Sequence, residues 1–305
     1  MNIYDKPLTE YKDSDYSIKF ANYNTTLYHY TSIDGVMGIL GGKKFRVSKA
    51  EFLNDSSEII YILNTIYKSL KTIIKKDDSL GEIIINSLIE AIEGNTTHNG
   101  LRWYKNIMVD HKYILSLSLN RDSLMLWSNY SKFDGYNLGF DFYKLYNTFL
   151  DENSIVTHGK VLYKEKDQIK VIQKDYLNLL SIYNQYKDNL NINELSEFQR
   201  EAFIAFYSRM NVYALFFKHD GFNYEEEYRV AITYKKKEVF YRTSNGCIIP
   251  YIETPINNST LLPLTTITIG PKNNIDIAKS GIEHYIKSIG YKDIKISKSE
   301  IPLRY

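Results

Sequence analysis

Three carboxylates and a guanidinium crowd into one short stretch, Glu225-Glu226-Glu227-Tyr228-Arg229, just before the apolar residues Val230, Ala231 and Ile232. Residues alternate faces along a strand, so Glu225, Glu227 and Arg229 are expected on one side and Tyr228, Val230 and Ile232 on the other. A carboxylate fixed in this way can stabilise positive charge that grows only in a transition state, as in cleavage of a glycosidic bond. The residues alone equally allow Glu227 to do no more than pair with Arg229, and Glu225 and Glu226 to form a solvated edge. The other oddity is His29, in Leu27-Tyr28-His29-Tyr30-Thr31. A titratable ring in the middle of a strand bound for the core either meets a ligand or is satisfied by a neighbouring backbone group. Other chemistries are disfavoured. None of the six histidines makes an i, i+4 pair with another or joins a cysteine cluster, so no metal site is expected. Two common phosphate grips are missing, the glycine loop ending in Lys and Ser/Thr and the Gly-x-Gly-x-x-Gly turn. Cys247 has no histidine near it in sequence and becomes a nucleophile only through tertiary contact.

The elements that must position these groups are read from periodicity and caps. Leu27 to Thr31 reads as a strand, with Leu27, His29 and Thr31 against Tyr28 and Tyr30; Ser32 then caps a helix carrying Ile33, Val36, Met37 and Leu40 and closed by Gly41-Gly42. Lys43 to Ser48 reads as a second strand, and Phe52 to Glu58 as a turn into a helix whose stripe is Ile59, Ile62, Leu63, Ile66 and Leu70. A further helix is expected from Leu80 to Glu93. Tyr113 to Leu119 alternates as a strand, Asp122 is the expected cap of a helix from Ser123 to Tyr130, and Gly135 to Phe142 returns as a strand. A strand is expected at 159–164, long helices at 166–218 and a hairpin at 237–252. A strand from Leu264 to Gly270, a helix from about Ile275 to Lys287 and a strand from Ile294 to Ser297 complete the pattern. Residues 1–24 read as an irregular lead-in.

With 305 residues and 44% hydrophobic content the chain can bury a large core without staples. The absence of a repeat or low-complexity linker favours one α+β domain, with helical insertions at about 57–111 and 166–218. A net charge of +2, from 38 basic and 36 acidic residues, argues against a cationic coat for nucleic acid but leaves room for a local basic groove, as at Lys43-Lys44-Arg46 or Lys235-Lys236-Lys237. A single cysteine, the absence of a signal pattern at the N-terminus and of any apolar run near the roughly 20 residues of a membrane span lead to the expectation of a cytoplasmic protein without a membrane partner.

Three separated pieces, His29-Tyr30-Thr31, Ser116 to Tyr130, and Glu227-Tyr228-Arg229-Val230, together resemble the ADP-ribosyltransferase fold of the diphtheria-toxin and poly(ADP-ribose) polymerase class, whose motif is His, Tyr, Glu. The opening also resembles bacterial DNA ADP-ribosyltransferase toxins and the RNA 2′-phosphotransferases. The wider set Tyr28 to Ser32, Phe52 to Asp55, Leu126 to Tyr130, Glu227 to Arg229 and Ile269 to Lys272 resembles a bacterial domain family of unassigned function. The resemblance implies an ADP-ribosyltransferase-like split, mixed or antiparallel sheet with flanking helices, and NAD as a substrate. It implies that His29 holds the adenine-side ribose, that Thr31 supports the nicotinamide amide and that Tyr130 covers the nicotinamide ring. Glu227 becomes the catalytic carboxylate, facing His29 across one cleft. Tyr30 and Ser116 fall in the cofactor-binding segments, Trp127 and Tyr136 compete for the second aromatic, and Arg46, Asn54 and Asp55 are available to NAD phosphate or to the acceptor. The implied activity is a toxin or phage-defence transferase acting on a macromolecule, DNA or RNA ahead of protein, with a cognate antitoxin or inhibitor as a further partner. The alternatives are an NAD hydrolase or ribonuclease on the same fold, and a nucleotide-sensing or partner-binding module without catalysis.

Overall fold

A computed structural model describes residues 5–13, 25–52, 57–93, 111–152, 154–234, 238–244, 246–255 and 260–303. In chain order the first half contains α1 (Asp5–Asp13), β1 (Thr26–Thr31), α2 (Ile33–Gly42), β2 (Phe45–Lys49), α3 (Ser57–Lys71), α4 (Ser79–Ile92), β3 (Lys112–Ser118), α5 (Leu124–Ser131), β4 (Tyr136–Asp141) and α6 (Phe142–Phe149). There follow β5 (Ser154–Lys160), α7 (Glu165–Tyr186), α8 (Ile192–Ala214), β6 (Glu227–Tyr234), β7 (Phe240–Ser244), β8 (Cys247–Thr254), β9 (Leu264–Ile269), α9 (Ile275–Ser288) and β10 (Lys295–Lys298). No helix among the described residues is long and apolar enough to cross a membrane.

Chain contacts divide the molecule into two compact units where the sequence leads one to expect a single domain. One unit is helical and gathers Met1–Lys19, Asn54–Asp110 and Leu162–Gly221, so the two segments read as insertions pack with each other. Ile62, Leu63, Ile66 and Leu70 of α3 are buried, as are Ile172, Tyr176, Leu179 and Tyr183 of α7 and Phe198, Phe206, Met210 and Tyr213 of α8. The N-terminal stretch expected to be irregular contains α1, with Leu8 and Tyr11 buried. Two apolar residues are too few to announce a helix by periodicity; tertiary packing forms it. Arg209, ion-paired with buried Asp175, donates to the Tyr11 carbonyl at 2.9 Å and lies over the Tyr11 ring.

The other unit, Phe20–Leu53, His111–Val161 and Phe222–Tyr305, carries an unclosed, mostly antiparallel sheet with flanking helices. β3 runs antiparallel to β6 over its whole length, from Lys112 opposite Thr233 to Ser118 opposite Glu227, and β6 pairs in turn with β5. The other edge of β3 is shared. β1 meets it at Ser118, opposite Tyr28, and leads on to β4, β9 and the parallel β10. β2 meets it at Tyr113 and Ile114 and leads on to β8 and β7. The sheet therefore forks on β3. One face holds the main core, which includes Leu27, Phe45, Leu115, Leu117, Leu138, Phe140, Tyr228, Val230 and Ile267. α2 closes part of that face through Val36, Ile39 and Leu40, with Ser32 as its cap, whereas Ile33 and Met37, expected on the same stripe, are exposed.

His158 of β5 is buried in this core, edge-on to Phe142, with Nδ1 2.5 Å from the Tyr228 hydroxyl. Burial pushes its pKa down to about 4, so between about pH 6.5 and 4 the unfolded chain binds a proton that the folded chain refuses. Stability is therefore expected to fall as pH drops through that window, by up to roughly 3 kcal/mol. His158→Gln should flatten the lower part of a Tm-against-pH curve; an unchanged curve would contradict this account.

The segment Ile269-Gly270-Pro271-Lys272 clamps the turn that follows α5. Gly270 N–H donates to Gly135 O at 2.9 Å, Lys272 N–H to Phe133 O at 3.0 Å, and the Lys272 ammonium sits over the Phe133 ring. That turn places Lys132 and Phe133 in the left-handed region, with φ of 50° and 68°. A Cβ on Gly270 would stand 2.6 Å from the Phe133 carbonyl oxygen and 2.8 Å from that of Gly135, both backbone atoms. Gly270→Ala is expected to cost about 2–3 kcal/mol in chemical unfolding.

Candidate functional site

α5 lies against β1, with Leu126 and Trp127 packed on Tyr30. Trp127 is fully buried and its ring meets Tyr30 edge-on at 4.8 Å. The Tyr30 hydroxyl donates to Asn120 O and accepts from Ser123 N–H, both at 2.9 Å, and burial drives its pKa up. Trp127 and Tyr30 are thus the anchor of α5, and neither offers a ring to a ligand. Asp122, expected as the helix cap, instead accepts from Trp127 Nε1 and Ser299 Oγ, both at 2.6 Å, and from Glu300 N–H at 2.7 Å. It ties the C-terminal segment to α5; Ser123 is the cap residue and makes no side-chain capping bond.

This anchoring carries Tyr130 to the start of β6. Half of Tyr130 is exposed, yet its hydroxyl end is covered and donates to Glu225 Oε1 at 3.1 Å. Burial first, then the negative charge of Glu225 and Glu227, push its pKa far above the phenol range, so the hydroxyl stays a donor. Glu225 and Glu227 are both buried. Glu226 between them takes φ of 44°, a left-handed conformation rare without glycine. Three bonds hold it there: Ser118 Oγ to Glu225 O at 2.8 Å, Leu119 N–H to Glu226 O at 2.9 Å and Asn120 Nδ2 to Glu226 Oε1 at 2.7 Å. Glu227 opens β6, and both its carboxylate oxygens meet Arg229, Oε1 with Nε at 2.8 Å and Oε2 with an Nη at 3.1 Å. The result is a half-open aromatic wall beside two buried carboxylates, one hydrogen-bonded to the phenol and the other in a bidentate ion pair.

His29 is not part of this group. Residues directly opposite in a ladder share a face, so Tyr28, Ser118 and Glu227 point one way and His29 the other. Its ring meets Phe45 of the main core edge-on at 5.7 Å, and Nδ1 lies 3.2 Å from the Ser116 carbonyl oxygen, a bond the Nδ1–H tautomer donates. Burial lowers its pKa, with the Ser116 bond working against that. The imidazole satisfies a carbonyl at the fork of β3. The expectation that His29 and Glu227 face one cleft is thereby corrected: the strand register puts a sheet between them. Thr31, on the His29 face, packs so closely on α2 that a Cβ on Gly35 would lie 1.8 Å from its hydroxyl. Tyr136 is a core residue. Ser116 stays on the Glu227 face, across from Arg229. Arg46 shares that face, on the other arm of the fork. Asn54 and Asp55 lie outside the described residues.

Glu225 is the residue that sequence reading missed. Alternation put it on one face with Glu227 and Arg229 or at a solvated edge; its burial follows from the turn at Glu226, which strand periodicity cannot anticipate. Among the described residues no group of histidine, cysteine and carboxylate side chains is arranged to hold a metal ion.

A family described as Protein of unknown function (DUF2971) matches residues 126–230, about a third of the chain. The matched stretch begins in α5 and ends in β6, so it includes Trp127, Tyr130, Glu225, Glu227 and Arg229, and leaves out His29 and Arg46. No curated protein and no solved structure matches the chain.

Proposed function

We propose that the sheet unit is an ADP-ribosyltransferase-like catalytic unit that cleaves the nicotinamide–ribose bond of NAD and passes ADP-ribose to a macromolecular acceptor. The observation that carries this reading is the Tyr130 hydroxyl on Glu225 beside Glu227. Cleavage of that bond develops an oxocarbenium-like ribose, and a fixed carboxylate next to an aromatic wall answers growing positive charge while the ring holds the leaving group. Tyr130 orients Glu225 and presents its open half to a planar ring; Glu225 meets the charge. Glu227, paired with Arg229, adds its negative charge to that of Glu225 at the Tyr130 hydroxyl. Leaving His29 out of the site revises the role that the resemblance gives it, and is in keeping with a matched family segment that begins after it.

A second reading is favoured by one observation: both oxygens of Glu227 are taken up by Arg229, as a purely structural ion pair would have them. On that reading the unit binds a partner or nucleotide without catalysis. Incubating the purified protein with labelled NAD, alone and with single-stranded DNA, RNA or cell lysate, separates the two. Nicotinamide release with label on a macromolecule supports the transferase, release without transfer makes it a hydrolase, and neither leaves the binding module.

A further inference from the structure

On the β2–β8–β7 arm two arginines converge on one pair of residues. Ser48 of β2 lies directly opposite Tyr251 of β8, which lies opposite Phe240 of β7. Arg46, exposed, lays its guanidinium 5.4 Å from the centre of the Tyr251 ring. Arg242, on β7, donates from an Nη to Ser48 Oγ at 3.0 Å. Glu253, directly across from Arg46, is held by Lys44. Among the described residues neither guanidinium meets a carboxylate. The two guanidiniums stand beside one Ser–Tyr pair with no described carboxylate to neutralise them, and the planar fork of arginine fits phosphate oxygens two at a time. The Ser48 hydroxyl, accepting from Arg242, keeps its own proton to donate.

We infer that Arg46, Arg242 and Ser48 form a phosphate site for a nucleotide bearing a diphosphate or terminal phosphate. A compact dianion matches two forks better than the single charge of an internal phosphodiester, which is why a free nucleotide is chosen over a nucleic-acid strand. The inference does not rest on the chemistry proposed at Glu225.

The test measures binding of inorganic pyrophosphate, ADP and a short fluorescein-labelled single-stranded oligonucleotide to the full chain, by thermal shift and by calorimetry or anisotropy. Pyrophosphate and ADP are expected to raise Tm and to bind more weakly by roughly tenfold in Arg46→Gln and in Arg242→Gln, the loss of one charged hydrogen-bonding partner. The double variant should lose less than the product of the two, because both forks act on one anion. Lys279→Gln, which removes an exposed charge on α9 instead, should leave this binding unchanged, and inorganic pyrophosphate, with no ribose for Glu225 to meet, keeps the result distinguishable from failure or success at the carboxylates. Failure of both phosphate probes to bind, affinity unaltered by the arginine variants, or an oligonucleotide preferred over ADP would overturn the assignment.

Discussion

Glu225→Gln is expected to slow nicotinamide release from NAD by about 10²–10³-fold, the size of effect seen when one preorganised electrostatic contact to a transition state is removed. Glutamine keeps an acceptor for the Tyr130 hydroxyl, which lies 3.1 Å from Glu225 Oε1, so the melting temperature should stay within a few degrees of the wild type. The charge is lost and the shape is kept. Full activity in this variant would remove Glu225 from the mechanism. Tyr130→Phe is the companion: the wall remains and the orienting bond goes, so a smaller loss, about tenfold, is expected in the same assay.

The largest stability effect is expected at the neighbouring carboxylate. Glu227 and Arg229 are 5% and 3% exposed, so Glu227→Ala leaves a guanidinium buried without its bidentate partner. A cost of about 3–5 kcal/mol in denaturant unfolding follows. Loss of activity in that variant would therefore say nothing about catalysis. The informative protein is the double variant Glu227→Leu with Arg229→Met, in which both charges go together and stability should return to within about 1 kcal/mol of wild type. If this stable double variant retains activity within about tenfold, the pair is support for Glu225; if it is dead, the pair itself acts on the substrate.

Much of the scaffold was legible in advance because its signals are local. Ser32 followed by a helix, the alternation of Tyr113 to Leu119, the apolar stripe of α3 and the helix–strand run of α9 and β10 each depend on neighbours within one turn or one pleat. The same holds for Tyr228, Val230 and Ile232 facing the core while Glu227 and Arg229 face away. Signals of longer range were not legible. The Gly270-Pro271-Lys272 run stands out in the sequence, but its work, gripping the carbonyls of Phe133 and Gly135, depends on two segments more than a hundred residues apart meeting in space. Trp127 reads equally well as a ligand wall or as a core anchor until Asp122 and Tyr30 are found around it.

By itself the sequence determined that His29 lies on one face of β1 and that Glu227 lies on one face of β6, since alternation within a strand is covalent geometry. Which of those faces coincide was decided only by the tertiary structure, through the pairing of Tyr28 with Ser118 and of Ser118 with Glu227. A slip of one residue in either ladder would have brought imidazole and carboxylate to the same side. Register is set by which apolar rows must be buried together, a property of the whole sheet that no single strand carries. The candidate site therefore gathers Tyr130, Glu225 and the Glu227–Arg229 pair, while His29 holds the fork of the sheet from the face opposite Glu227.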